Sequence, residues 1–163
     1  MKTTTLASVL ALALIASTAS AQAIRTEKNM SLELANQIAA ATVVACSANN
    51  HNVTAAVVDR AGNLRALQRA DNAGPHTIDA AQGKAYTSAS ARNTTSAMLE
   101  NVQKNPGAAT LVDIPGFLVL GGGVPIRVGN EVVGAVGVGG APGGHLDEQC
   151  ANAAIAQVAD LLK

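Results

Sequence analysis

Three polar side chains in the middle of the sequence could bind a ligand: Arg69, His76 and Lys84. His76 follows Gly-Pro at a predicted loop–helix junction, where a side chain can face a cleft. A neutral imidazole at such a position is a ready axial ligand for haem iron, although surface and capping histidines occupy similar places. Arg69 and Lys84 could pair with a carboxylate through charge-assisted hydrogen bonds.

The helix predicted over residues 77–91 would bring some of these groups together. The residues that share one face are His76, Ala80, Gly83, Lys84 and Thr87. Only a methyl group and a glycine separate the imidazole from the ammonium, so this face is a shallow trough. Gly83 costs the helix roughly 1 kcal/mol relative to alanine, which suggests close packing there. Packing of the helix on a sheet and a ligand-binding trough explain the pattern equally well.

A glycine-rich stretch, residues 117–144, predicts a hairpin with strands at 124–128 and 131–138. One face of the second strand carries only small residues, which favours close approach of a helix, another backbone or a flat ligand. The backbone N–H groups of residues 121–123, Gly122 among them, could also meet a carboxylate or phosphate.

Several other kinds of site do not fit the sequence. His51, His76 and His145 are too widely spaced for a zinc site. The serines lack the G-x-S-x-G elbow of hydrolases, and the glycines do not follow the dinucleotide-binding fingerprint. With no tryptophan, one tyrosine, one phenylalanine and a formal net charge of zero, the composition argues against a nucleic-acid partner.

Cys46 and Cys150 are the two cysteines, and each lies on the apolar side of a predicted helix. A secreted chain with two cysteines favours a disulfide, although two buried free thiols remain an alternative. In the loop-closure picture such a bridge would stabilise the fold by on the order of 4 to 5 kcal/mol.

Residues 1–21 have the features of a secretory signal peptide: one lysine, an apolar core and the small-residue pattern Ala-Ser-Ala at the end. We therefore expect a periplasmic or secreted protein whose mature chain, residues 22–163, forms one domain with no membrane span.

The remaining patterns predict an α+β fold, with a mostly antiparallel sheet of about five strands and helices packed on it. Helical periodicity covers residues 31–48, and turn residues join strands at 53–58 and 64–69. A short helix ends near residue 104, residues 108–116 are expected to form a loop, and Asp147 is expected to cap the last helix.

Two long segments resemble a known family. They are VVDRAGNLRALQRADNAGPHTIDAAQGKAYTSA, residues 57–89, and GGGVPIRVGNEVVGAVGVGGAPGGHLDEQCANAAI, residues 121–155. Both look like the haem-degrading domain family of GlcG and the haem-binding protein HbpS. The resemblance implies a central antiparallel sheet, frequent assembly into oligomers, haem or tetrapyrrole binding in some members and slow haem breakdown in a few. Gly139-Gly140 departs from the Ser-Gly of many relatives.

Together these observations predict an exported haem- or tetrapyrrole-binding protein that forms a homo-oligomer, with weak haem degradation as a second expected activity. His76 would ligate the iron, Lys84 or Arg69 would pair with a propionate, and Gly83 and Gly122 would lie beside the ligand. One alternative is a small-molecule enzyme or accessory protein that clamps a hydroxy acid through Arg69 and Lys84, or binds a corrinoid. Another is a structural oligomer or sensor partner without haem.

Overall fold

The computed structural model describes residues 23–163, so the predicted signal peptide lies outside the described residues. Four α-helices and four strands follow one another as α1 (Leu32–Ser47), β1 (Thr54–Asp59), β2 (Leu64–Arg69), α2 (His76–Ala91), α3 (Thr95–Lys104), β3 (Gly123–Val128), β4 (Glu131–Gly139) and α4 (Gly144–Gln157). Two 3₁₀ helices, Pro106–Asp113 and Ala159–Leu161, complete the described elements. Among them, no helix combines the length and apolar character needed to span a membrane.

The strands form one antiparallel sheet in the order β2-β1-β4-β3, which confirms the α+β prediction. The sheet of the described residues has four strands rather than about five. Residues 117–120, just before the second hairpin, form no regular element. Two of their backbone N–H groups are used locally, since Phe117 donates to Ile114 O and Leu120 donates to Leu118 O.

Helix boundaries depend on short-range caps, and two of them differ from expectation. Ser31 accepts a hydrogen bond from Leu34 N at 3.2 Å and starts α1 as predicted. Helix α4 begins at Gly144, so Asp147 lies buried in its first turn instead of capping it. Residues 106–113, expected in part to be loop, form a 3₁₀ helix whose start is capped by Asn105.

Helices α1 and α4 pack on one face of the sheet, and α2 packs on the other. The larger core, on the α1 and α4 face, is built mainly from alanine, valine and isoleucine. The predicted disulfide is confirmed: Cys46 and Cys150 are bonded and join α1 to α4 with their Cα atoms 5.3 Å apart.

Helix α2 sits directly on the small-residue face of β4. A Cβ atom added at Gly137 would lie 2.0 Å from Ala81 O and 2.4 Å from Ala85 N. The glycine face of β4 therefore admits a helix backbone, not a flat ligand. Any ligand site on α2 must lie on its other faces.

Candidate ligand-binding cleft

An open cleft of about 780 Å³ runs along the outer side of α2. Helix α2 forms its first wall. The second wall is made by β1, the β1–β2 turn and the start of β2, and the third wall is the segment of residues 116–118. The volume falls within the range of small-molecule and cofactor sites, about 300 to 1,000 Å³. Most of the lining side chains outside α2 are apolar, among them Val58, Leu64, Phe117 and Leu118.

Helix α2 contributes side chains at the spacing of one broad helical face. They are His76, Asp79, Ala80, Gln82, Gly83 and Tyr86. Of the residues predicted to share one trough, His76, Ala80 and Gly83 line the cleft, and Lys84 and Thr87 do not. One residue of a helix turns the side chain by about 100°, and this step carries Lys84 away from Gly83 toward the sheet.

The ring of Tyr86 lies between two turns, and a glycine in each turn packs against it. Gly62 has φ +85° and Gly116 has φ +84°, which is the region that favours glycine. A Cβ atom at Gly62 would lie 2.8 Å from Tyr86 Cδ2, and one at Gly116 would lie 3.2 Å from Tyr86 Cε1. Phe117 meets the same ring edge-on, with centroids 6.1 Å apart. These contacts fix an aromatic wall that the sequence pattern did not predict.

Thr87 connects α2 to the wall of the cleft at residues 116–118 by hydrogen bonds. Its hydroxyl accepts a hydrogen bond from Leu118 N at 2.7 Å and donates one to Gly83 O at 2.7 Å. A Cβ atom on Gly83 would lie 3.0 Å from Leu118 Cβ. Gly83 thus lets this segment pack closely on α2, which the cost of a helical glycine had suggested.

His76 is the first residue of α2 and lies exposed at the edge of the cleft. Its ring packs over Gly74, where an added Cβ would lie 2.7 Å from His76 Cε1. His76 also lines a smaller cavity of about 300 Å³ on its other side, together with His51 and three asparagines. The imidazole therefore separates an apolar cleft from a polar cavity.

Lys84, in the middle of α2, is buried against the sheet, with 3% of its side chain exposed. Its Nζ donates to Asp147 Oδ2 and to Val138 O, each at 2.8 Å. Burial raises the pKa of Asp147, and the bonds from Lys84 and Ala141 N partly offset this effect. The ammonium therefore braces α2 against β4 and α4 and does not face the cleft.

Gly122 belongs to the same buried brace. It has φ +127°, and a Cβ atom there would lie 2.6 Å from Val138 O and 2.8 Å from Lys84 Nζ. Its N–H donates to Glu148 Oε1 at 3.3 Å. Glycine is needed at position 122 because the backbone there passes close to the Lys84–Asp147 ion pair. The prediction that Gly122 lies beside a ligand has no support from this geometry.

Arg69 fastens the loop that precedes α2. Its Nε and Nη2 atoms both donate to Ala73 O, at 2.9 and 2.6 Å. The structure thus brings His76 and Gly83 to the cleft and leaves Arg69, Lys84 and Gly122 outside it. Within residues 23–163, no group of three or more His, Cys, Asp or Glu side chains is arranged to hold a metal ion.

Comparison with known proteins gives consistent matches. The family profile described as "Haem degrading protein HbpS-like" matches residues 30–156. Protein GlcG of Escherichia coli K12 is 38% identical over 114 residues, which cover 70% of this chain and 84% of GlcG. A double mutant of Streptomyces reticuli HbpS has a similar structure, with a TM-score of 0.79 and 37% identity over 95% of this chain and 99% of that one.

A more distant structure shares the fold alone. It is the PduOC–haem complex, with a TM-score of 0.70 and 23% identity over 78% of this chain and 94% of that one. On the strength of the family profile and of the similarity to GlcG, the chain belongs to the HbpS-like family of haem degrading proteins.

Proposed function

We propose that this protein binds haem or a related tetrapyrrole in the cleft beside α2. The observation that carries the proposal is an apolar cleft of about 780 Å³ with an imidazole at its edge. The name of the family and the haem in the PduOC complex support the same ligand class.

The described residues fit a haem group. An apolar cleft of this size suits a large flat ring, and the imidazole of His76 is an ordinary axial ligand. Tyr86 and Phe117 would contact the ring, and Gly83 would line the wall where Leu118 packs on the helix. When bound, haem would supply redox-active iron, and the protein would supply the position and the surroundings of the ring.

Export to the periplasm or beyond is part of the proposal. The pattern of residues 1–21 favours it, and the Cys46–Cys150 disulfide is typical of an oxidising compartment. Assembly into a homo-oligomer is proposed from the resemblance to the family. Slow haem breakdown is a second candidate activity, favoured by the description of the family as haem degrading.

A titration with hemin tests the proposal. We expect a shifted Soret band on binding, and His76→Ala should weaken the affinity by about tenfold, since an axial bond is lost. His145→Ala is a matched control: His145 is also exposed near a helix start and packs over a glycine, Gly143, but does not line the cleft. A wild-type spectrum that hemin does not change would overturn the proposal.

The hydroxy-acid alternative has less support. Its two clamping residues, Arg69 and Lys84, are bonded within the fold and do not line the cleft. Thermal unfolding with hemin, a corrinoid or a small hydroxy acid separates the possibilities, because a ligand that binds the folded state raises the melting temperature.

A further inference from the structure

The cleft beside α2 has an unusual charge for a site that would bind haem, whose two propionates are carboxylates. Of the described residues that line it, Asp79 alone carries a formal charge. Asp79 lies in the first turn of α2, three residues after His76, and its side chain is exposed. The lining thus offers one carboxylate and no Lys or Arg among the described residues.

The basic residues around the cleft are directed elsewhere. Lys84 is bonded to Asp147, and Arg69 is bonded to Ala73 O. Arg60, in the β1–β2 turn, pairs with Glu27 at 2.8 Å and Glu131 at 3.2 Å. Arg65 follows Leu64 on β2 but is not one of the lining residues.

A carboxylate that entered this cleft would lose water without gaining a cation, and it would approach Asp79. Both effects are unfavourable, because an unpaired charge is costly to desolvate and like charges repel. The cleft is open to solvent, so a ligand can leave its charged groups at the mouth.

We propose that Asp79 sets the charge selectivity of the cleft: the ligand enters by an uncharged, apolar edge, and its carboxylates stay in solvent at the mouth. This inference rests on the proposed binding of a tetrapyrrole and specifies how the ring is oriented. It replaces the expectation that Lys84 or Arg69 pairs with a propionate.

The test compares hemin with hemin dimethyl ester, which has no free carboxylates, by titration of the Soret band. Wild type should bind the ester at least as tightly as hemin. Asp79→Asn should strengthen hemin binding by up to about fivefold, the range of exposed charge pairs, and leave the ester unchanged. Asp71→Asn is the matched control, because Asp71 is an exposed acid in the preceding loop that does not line the cleft.

Salt and a second variant sharpen the test. Higher ionic strength should raise the affinity for hemin relative to the ester, since salt screens the repulsion by Asp79. Arg65→Gln should leave both affinities unchanged.

The contrary results are distinct. If hemin binds several-fold more tightly than the ester, weakens with salt or depends on Arg65, a cation holds the propionates and the inference is wrong, while the proposed function stands. An unchanged hemin affinity in Asp79→Asn also overturns it. If neither compound binds, the proposed function itself fails.

Discussion

At the scale of single residues, Tyr86 shows why the ligand site was only partly predictable. Its ring contacts Gly62 and Gly116, which are far away in the sequence. Gly62 lies in the turn that the sequence predicts between the strands at 53–58 and 64–69, and the structure gives it a positive φ. No local pattern indicates that the same glycine leaves room for an aromatic ring, so Tyr86 was not recognised as a wall of the cleft.

Substitution of Gly62 tests this contact. We expect Gly62→Ala to destabilise the protein by about 2 kcal/mol or more, because it adds both backbone strain and a clash with Tyr86. Gly129→Ala is the control for strain alone: Gly129 has φ +59°, and nothing lies within 4 Å of an added Cβ. Denaturant unfolding measures both free energies.

The chain offers an internal probe for the same experiment. It has one tyrosine and no tryptophan, so its tyrosine emission reports on Tyr86 alone. Gly62→Ala should change this emission in the folded state, and Gly129→Ala should not. Equal destabilisation by the two variants, with unchanged emission in both, would show that the Tyr86 ring moves aside from the methyl group added at position 62 at no cost in stability.

At the scale of elements, the rotation of α2 about its own axis determines which of the predicted side chains reach the cleft. The helix itself was predicted within one residue of its start, because its alanine-rich pattern is local. Its rotation about its own axis is set by packing on β4, where Gly137 admits the backbone of the helix. The sequence pattern could not distinguish Lys84 on the cleft side from Lys84 on the sheet side.

The ion pair between Lys84 and Asp147 should be essential to how α2, β4 and α4 fit together. We expect Lys84→Met to destabilise the protein by about 3 to 5 kcal/mol, because Asp147 would be left buried without its cation. The double variant Lys84→Met/Asp147→Leu should recover much of this loss, since no charge is then buried. Denaturant unfolding of the single and double variants measures the difference.

An exposed pair provides the comparison. Lys104 and Glu100 pair one turn apart on the surface of α3, and Lys104→Met should change stability by less than about 0.5 kcal/mol. If the two lysine variants lost the same small amount of stability, the buried pair would not brace α2 against β4 and α4.

At the scale of the whole molecule, the two hairpins were predictable and their arrangement was not. Each hairpin joins neighbouring segments through a turn rich in glycine and polar residues, which is a local signal. The sheet is completed by the pairing of β1 with β4, where Thr54 lies opposite Gly139. This pairing joins distant segments, and helices cover both faces of the resulting sheet.

The Cys46–Cys150 disulfide ties that arrangement together over a sequence separation of 104 residues. Closing so long a loop restricts the unfolded chain, so its loss should destabilise the protein by about 4 to 5 kcal/mol. Denaturant unfolding of wild type with and without a reductant measures this value, and Cys46→Ala/Cys150→Ala should resemble the reduced wild type. Equal stability of the oxidised and reduced proteins would contradict the prediction. It would mean that the packing of α1 on α4, and not the covalent link, holds the two helices on the sheet.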